Sequence, residues 1–154
     1  MKEDETDTIL IAGMGGGIVI HILTEGRSAA RKAKELILQP QSELEEVRRF
    51  LFSENYELLQ EDMILEDGKY YPMMKVRYAP EKFVQRPKPA DDDFLFGPML
   101  LQGHHAVLHS YLLREQRIQK DVLKQLAAQK QTSAIMQRTK EVEAYLQLVE
   151  QSLW

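Results

Sequence analysis

Thr8-Ile9-Leu10-Ile11-Ala12 is a short, unbroken apolar and β-branched run, the pattern of a central parallel strand buried on both faces. Gly13-Met14-Gly15-Gly16-Gly17 ends it, and Ile18, Ile20, Ile22 and Leu23 continue as a helix that Gly26 can close with a left-handed cap. Glu35 to Gln39 forms a second apolar strand, stopped by Pro40. Ser42 and Glu45 have capping-box spacing, and Leu44, Val47, Phe50 and Leu51 recur on one helical face, which predicts a second helix. Tyr56 to Asp67 and Lys69 to Tyr78 read as two strands joined by an Asp67-Gly68 turn, with Pro72 an irregular point in the second. The order βαβα followed by a hairpin is an α/β layout with an antiparallel edge.

From Ala79 through Pro98 the chain holds four prolines and the run Asp91-Asp92-Asp93, a composition that opposes regular structure and reads as a linker. Beyond it, Leu108, Tyr111, Leu112, Ile118, Val122 and Leu126 share one helical face. Ile135, Met136, Val142, Tyr145, Leu146, Val149 and Leu153 share another. A break near Gln131-Thr132-Ser133 turns these two long helices into an antiparallel hairpin.

The chain has 154 residues, 44% of them hydrophobic and 29% charged, which suits a globular protein of ordinary domain size. No apolar run reaches the roughly 18 to 20 residues of a membrane span, and the acidic start is unlike a signal peptide, so the expected location is cytoplasmic. Disulfides and thiolate metal sites are excluded by the lack of cysteine. The net charge of −4 averages two unlike regions: Lys2 to Asp7 holds four acids and one base, whereas Arg114 to Lys140 holds seven bases against Glu115 and Asp121. Such a local positive excess is either a solvated helix face or a surface for a polyanion.

A strand, glycines and a helix in succession gather main-chain N–H groups at the carboxyl edge of a sheet, where open α/β folds bind ligands; a plain tight turn would use the same residues. The glycines do not spell a dinucleotide fingerprint, since Ile18 stands where G-x-G-x-x-G counted from Gly13 needs glycine, and no phosphate-binding G-x-x-x-x-G-K-[ST] is present. Gln39-Pro40 closes the neighbouring strand, so it should lie at the same edge, either reading a base with its amide or simply turning the chain. Tyr70 and Tyr71 can stack on a base or fill a core. His105 and His109 have metal-capable spacing but no third ligand, so the expectation is no metal site.

The segments Asp7-Thr8-Ile9-Leu10-Ile11-Ala12-Gly13-Met14-Gly15-Gly16, Leu36-Ile37-Leu38-Gln39-Pro40-Gln41, Gly68-Lys69-Tyr70-Tyr71 and Phe96-Gly97-Pro98 resemble, in order and spacing, the bacterial tRNA (adenine(22)-N1)-methyltransferases of the TrmK type. The resemblance runs from about Thr6 into the C-terminal helices and implies a class I, Rossmann-like S-adenosylmethionine fold with a coiled-coil-like unit that helps to hold tRNA. It further implies that Ala12, Gly13, Met14, Gly15 and Gly16 line the cofactor edge, and that Asp7, Gln39, Pro40 and Tyr70 border the substrate cleft. Arg114, Arg117, Lys120, Lys124 and Lys130 are the candidate tRNA contacts, and no catalytic residue is singled out. Gln41 departs from the asparagine usual in the family.

On this resemblance, residues 1–80 are a partial Rossmann-like methyltransferase domain carrying the later strands and their antiparallel hairpin, 81–103 a linker, and 104–154 a helical hairpin. The family's first three strands, with the loop that grips the methionine and ribose of the cofactor, have no counterpart here. The cofactor site is therefore expected to be incomplete, the chain alone a poor enzyme, and the first strand's apolar edge unpaired unless a homodimer covers it. The alternative expectation is a non-catalytic tRNA-binding or oligomerising remnant built on the helical hairpin.

Overall fold

The computed structural model describes residues 7–154, so the acidic start before Asp7 lies outside the described residues. The chain forms two compact units, one ending at Gly103 and one running from His104 to Trp154. No helix among the described residues is long and apolar enough to cross a membrane.

The first unit is an α/β layer structure built in the order β1 (Thr8–Met14), α1 (Gly16–Glu25), α2 (Arg27–Lys32), β2 (Glu35–Pro40), α3 (Leu44–Ser53), β3 (Tyr56–Glu66) and β4 (Lys69–Tyr78). The four strands lie in the order β1-β2-β4-β3, with β1 and β2 parallel and the other two pairs antiparallel. Alternation sends Ile9 and Ile11 of β1, Leu36 and Leu38 of β2, and Met74 and Val76 of β4 to one face, where they pack with Val19 and Leu23 of α1 and Val47 and Leu51 of α3. Pro72 is accommodated in β4 because it lies beyond the last residue that β2 pairs, Met74.

The expectation that β1 is buried on both faces is corrected. It is the outer strand of the sheet among the described residues, and Leu10, whose side chain points away from the helices, is 68% exposed. A continuous apolar run cannot distinguish a doubly covered strand from an edge strand whose second face is open.

The linker expected over 81–103 is corrected as well. It holds α4 (Asp91–Phe96) and α5 (Pro98–Gln102), preceded by a 3₁₀ turn at Pro80–Lys82, and it buries Phe94, Phe96 and Leu100. The three aspartates are the first turn of α4, where the helix dipole favours acids, and the Ala90 N–H donates to the Asp93 carboxylate at 3.2 Å. Arg48 of α3 fastens the segment. Its buried guanidinium donates to the Phe94 and Leu95 carbonyls at 3.1 and 3.0 Å and pairs with Glu61 of β3 at 3.4 Å.

The second unit is an antiparallel pair, α6 (Ala106–Ala127) and α7 (Ser133–Ser152), whose start is capped by the Thr132 hydroxyl accepting from the Ile135 N–H. Leu108, Leu112 and Leu126 pack with Val142, Leu146 and Val149, whereas Ile118 and Met136 stay 38% and 52% exposed on the margin of the apolar seam. The Tyr111 and Tyr145 hydroxyls both donate to Glu115 Oε1, at 3.0 and 2.9 Å, which ties the helices across a carboxylate. Burial beside that carboxylate pushes the Tyr111 phenol up to about 12, and Tyr145 also upward.

Candidate functional site

The carboxyl ends of β1 and β2 meet at a turn dictated by glycine. Gly13 has φ of +76°, a conformation that side chains disfavour, and it sits where the β1–β2 register shifts between Ala12 and Met14. A Cβ at Gly13 would meet nothing within 4 Å, so the main chain there faces open space. Gly16 is different: a Cβ on it would lie 2.6 Å from the Ser42 carbonyl oxygen and 2.8 Å from the Glu43 Cβ. The first glycine makes the turn, and the second lets α1 press against the chain leaving β2.

That second contact is reinforced by hydrogen bonds. The Gln41 N–H donates to the Met14 carbonyl at 2.8 Å, and the Gly16 N–H donates to Ser42 Oγ at 3.4 Å. The capping box expected from Ser42 and Glu45 therefore does not form. Ser42 is spent on Gly16, Glu43 is the N-cap residue of α3, and Glu45 instead accepts from Arg49 at 2.8 Å.

Ala12, Gly13 and Met14 are exposed along this edge, Gly15 is half-buried and Gly16 is buried beneath the Ser42–Glu43 turn. Gln39 lies opposite Ala12 and Pro40 opposite Met14, so both reach the expected edge. Their side chains go to opposite faces, Pro40 into the helix-covered core and Gln39 toward the open face. Tyr70 is half-buried in the β3–β4 hairpin opposite Leu65, two residues, or about 7 Å, past the level of Pro40 when the β2–β4 register is continued. Asp7 is not brought to this edge. Its carbonyl accepts from the Glu35 N–H at the start of the strands, and its carboxylate pairs with Lys34 at 3.2 Å, roughly 20 Å along the strand from Gly13.

Arg114, Arg117, Lys120 and Lys124 follow one another along α6, with Lys130 in the turn to α7. All but Arg114, whose guanidinium lies over the Tyr111 ring, are exposed. Of the histidines, His104 and His105 are engaged locally. His105 Nδ1 accepts from the Val107 N–H at the start of α6, and the His104 ring stacks on Trp154 at 4.9 Å.

Sequence reasoning missed Glu43. Its φ of +55° places a non-glycine residue in the left-handed region, and its carboxylate oxygens lie 3.7 and 3.8 Å from where a Cβ on Gly17 would be. Helical periodicity starts only at Leu44, so nothing in the sequence pattern signals that conformation. A partly open cavity of about 60 Å³ lies away from this edge between α3, the sheet and the 83–98 segment; Leu51, Phe52, Tyr56, Leu58 and Phe94 line it together with Arg48, Arg86 and Asp93.

Comparison with known proteins places this geometry in a family. The family model for tRNA (adenine(22)-N(1))-methyltransferase matches residues 1–150. The chain is 28% identical over 151 residues to the Bacillus subtilis tRNA (adenine(22)-N(1))-methyltransferase, covering 98% of this chain and 63% of that protein. The crystal structure of the B. subtilis M1A22 tRNA methyltransferase superposes with a TM-score of 0.83 and 28% identity, over all of this chain and 66% of that one. A Streptococcus pneumoniae protein solved with S-adenosyl-L-methionine shares the fold at a TM-score of 0.81 and 24% identity, over all of this chain and 64% of its own. The chain thus spans just under two thirds of the curated relative it matches. With an α/β sheet of this order, a glycine turn at its carboxyl edge and a family match over nearly every residue, the chain belongs to the tRNA (adenine(22)-N(1))-methyltransferase family.

Proposed function

We propose that this chain takes part in methylating N1 of an adenine in tRNA, with S-adenosylmethionine as the methyl donor. The observation that carries the reading is the meeting of the Gly13–Gly17 turn with Gln39 at one sheet edge, in a chain matched by the family over residues 1–150. Exposed Ala12 and Met14 and the open space beside Gly13 suit the approach of a ligand to main-chain atoms. Gly15 and Gly16 are filled in by Ser42 and Glu43, so their part is to hold the turn rather than to touch the cofactor.

S-adenosylmethionine, when bound, supplies a methyl group made electrophilic by the sulfonium. Adenine N1 is itself the nucleophile, so no side chain has to form a bond. The work left to the protein is to align the ring nitrogen and to keep water away, which is where intramolecular alignment gains several kcal/mol, roughly 7 to 11 at best. Gln39 can donate and accept at the base edge, and the Tyr70 ring is of a kind that stacks on bases. Arg117, Lys120, Lys124 and Lys130 offer exposed cations for the tRNA backbone.

The test pairs tRNA binding by this chain, followed from low to high salt, with mapping of 1-methyladenosine in tRNA treated with the protein as its gene encodes it. The expected result is binding that weakens steeply with salt, is reduced by K120A/K124A/K130A, and accompanies methylation. Absence of tRNA binding at low salt would overturn the reading. Binding without methylation in the gene product would favour the second reading, a non-catalytic tRNA-binding role for the α6–α7 unit, which the exposed cations of α6 favour.

A further inference from the structure

Glu43 combines two features at the carboxyl edge: a strained backbone, and a carboxylate beside the first turn of α1, where the helix dipole favours an acid. It keeps a left-handed φ of +55°, a backbone state costing a residue with a side chain about 1 to 2 kcal/mol. Its side chain makes no capping bond to α3, whose first turn already carries Glu45 and Glu46. No described residue forms an ion pair with it. The residue is exposed, and its carboxylate lies beside Gly17, next to the turn that the Gln41–Met14 and Gly16–Ser42 hydrogen bonds fix in place.

Resting on the methyl-transfer reading above, we infer that Glu43 accepts a hydrogen bond from the exocyclic amine of the target adenine and balances the charge that methylation places on that ring. As the bond from N1 to the methyl carbon forms, the carbon–sulfur pair leaves on sulfur. The positive charge moves from the sulfonium to the adenine ring and its amine. A carboxylate on the base side is then better matched to the product than to the neutral substrate, which is the differential binding that lowers a barrier. The amine is next to N1, so the same contact also selects adenine over bases that present a carbonyl there.

The probe is a pair of nucleosides, adenosine and 1-methyladenosine, the second a cation at neutral pH. NMR titration of the full chain should show both shifting the amides of Gly13, Gly17 and Glu43, with 1-methyladenosine binding roughly fivefold to tenfold more tightly, the scale of one charge-assisted hydrogen bond in a partly wet site. E43Q should bring the two affinities together. E43G should do the same while raising the melting temperature, because glycine accepts the left-handed backbone without strain. Wild-type protein that does not prefer the cation, or E43Q that retains the preference, would overturn the assignment. In the methylation assay of the gene product, E43Q should lower kcat with little change in KM for tRNA. Equal kcat would remove Glu43 while leaving the methyl-transfer reading intact, whereas wild-type protein that neither methylates tRNA nor binds either nucleoside would remove both.

Discussion

Gly13 and Gly97 are local counterparts with opposite surroundings. Each has positive φ, +76° and +97°, and each is followed within three residues by the start of a helix. A Cβ at Gly13 would point into open space, while one at Gly97 would lie 2.5 Å from Glu61 Oε2. Glu61 also accepts from the Met99 N–H at 2.9 Å, so it anchors the first turn of α5 and pairs with Arg48 at the same time. One glycine turn is closed by a buried ion pair and the other is left open. What lies opposite a glycine, more than the glycine itself, decides whether a turn holds the fold or presents a site.

Breaking the closed turn should have the largest effect. Glu61→Ala leaves the Arg48 guanidinium, 7% exposed, without its carboxylate, and removing one partner of a buried pair typically costs about 3 to 5 kcal/mol. Gly97→Ala should also destabilise, because the methyl group can enter only if Glu61 gives up its position. The two changes should therefore be less than additive, with the alanine at 97 costing at least about 1 kcal/mol less in the Glu61→Ala background. Urea unfolding of the two single variants and the double variant measures this, and strict additivity would show that the turn does not depend on the carboxylate.

The same pair has a pH signature. Burial raises the Glu61 carboxyl above its ordinary range, and Arg48 and the Met99 N–H oppose the rise without cancelling it. With the folded pKa above the unfolded one, the folded state holds more protons in the acid range. Its stability from this group is fully present below the unfolded pKa and is lost as pH rises through the folded value. Glu61→Gln keeps an acceptor for Met99 but cannot titrate. The stability of wild type relative to this variant should fall between acid and neutral pH; a flat or rising difference would contradict the burial argument.

These two turns also show what the sequence discloses. The β1–turn–α1 unit was legible because an apolar run followed by glycines is a local signal, and the β3–β4 hairpin because Asp67-Gly68 fixes its turn. Residues 81–103 misled because proline content and three aspartates look like linker composition when taken alone. What folds them is Arg48 and Glu61, more than thirty positions upstream in each case for their Phe94 and Met99 partners. The open face of β1 was hidden for the same reason, since hydropathy records that Leu10 is apolar and says nothing of whether a layer covers it. Elementary geometry rules Asp7 off the site: a residue at the start of a strand cannot share an edge with the residues at its end. Glu43 escaped because a single left-handed residue leaves no periodic trace.

The smallest effects on stability separate the two glycines of the open edge. Gly16→Ala drives a methyl group to within 2.6 Å of a main-chain oxygen that the Gln41–Met14 hydrogen bond helps to fix, so backbone must move and about 1 to 3 kcal/mol should be lost. Gly13→Ala meets no atom within 4 Å and carries only the cost of its positive φ, about 1 to 2 kcal/mol. Ligand binding should rank them the other way. The alanine at 13 puts a methyl group into the space where the proposed ligand would approach, while the one at 16 lies beneath the turn. Melting temperature and nucleoside affinity measured on both variants give a crossed pattern if the open turn presents the site. If affinity merely follows stability, Gly13 is a turn residue like Gly97, and the contrast between the two regions is one of packing alone.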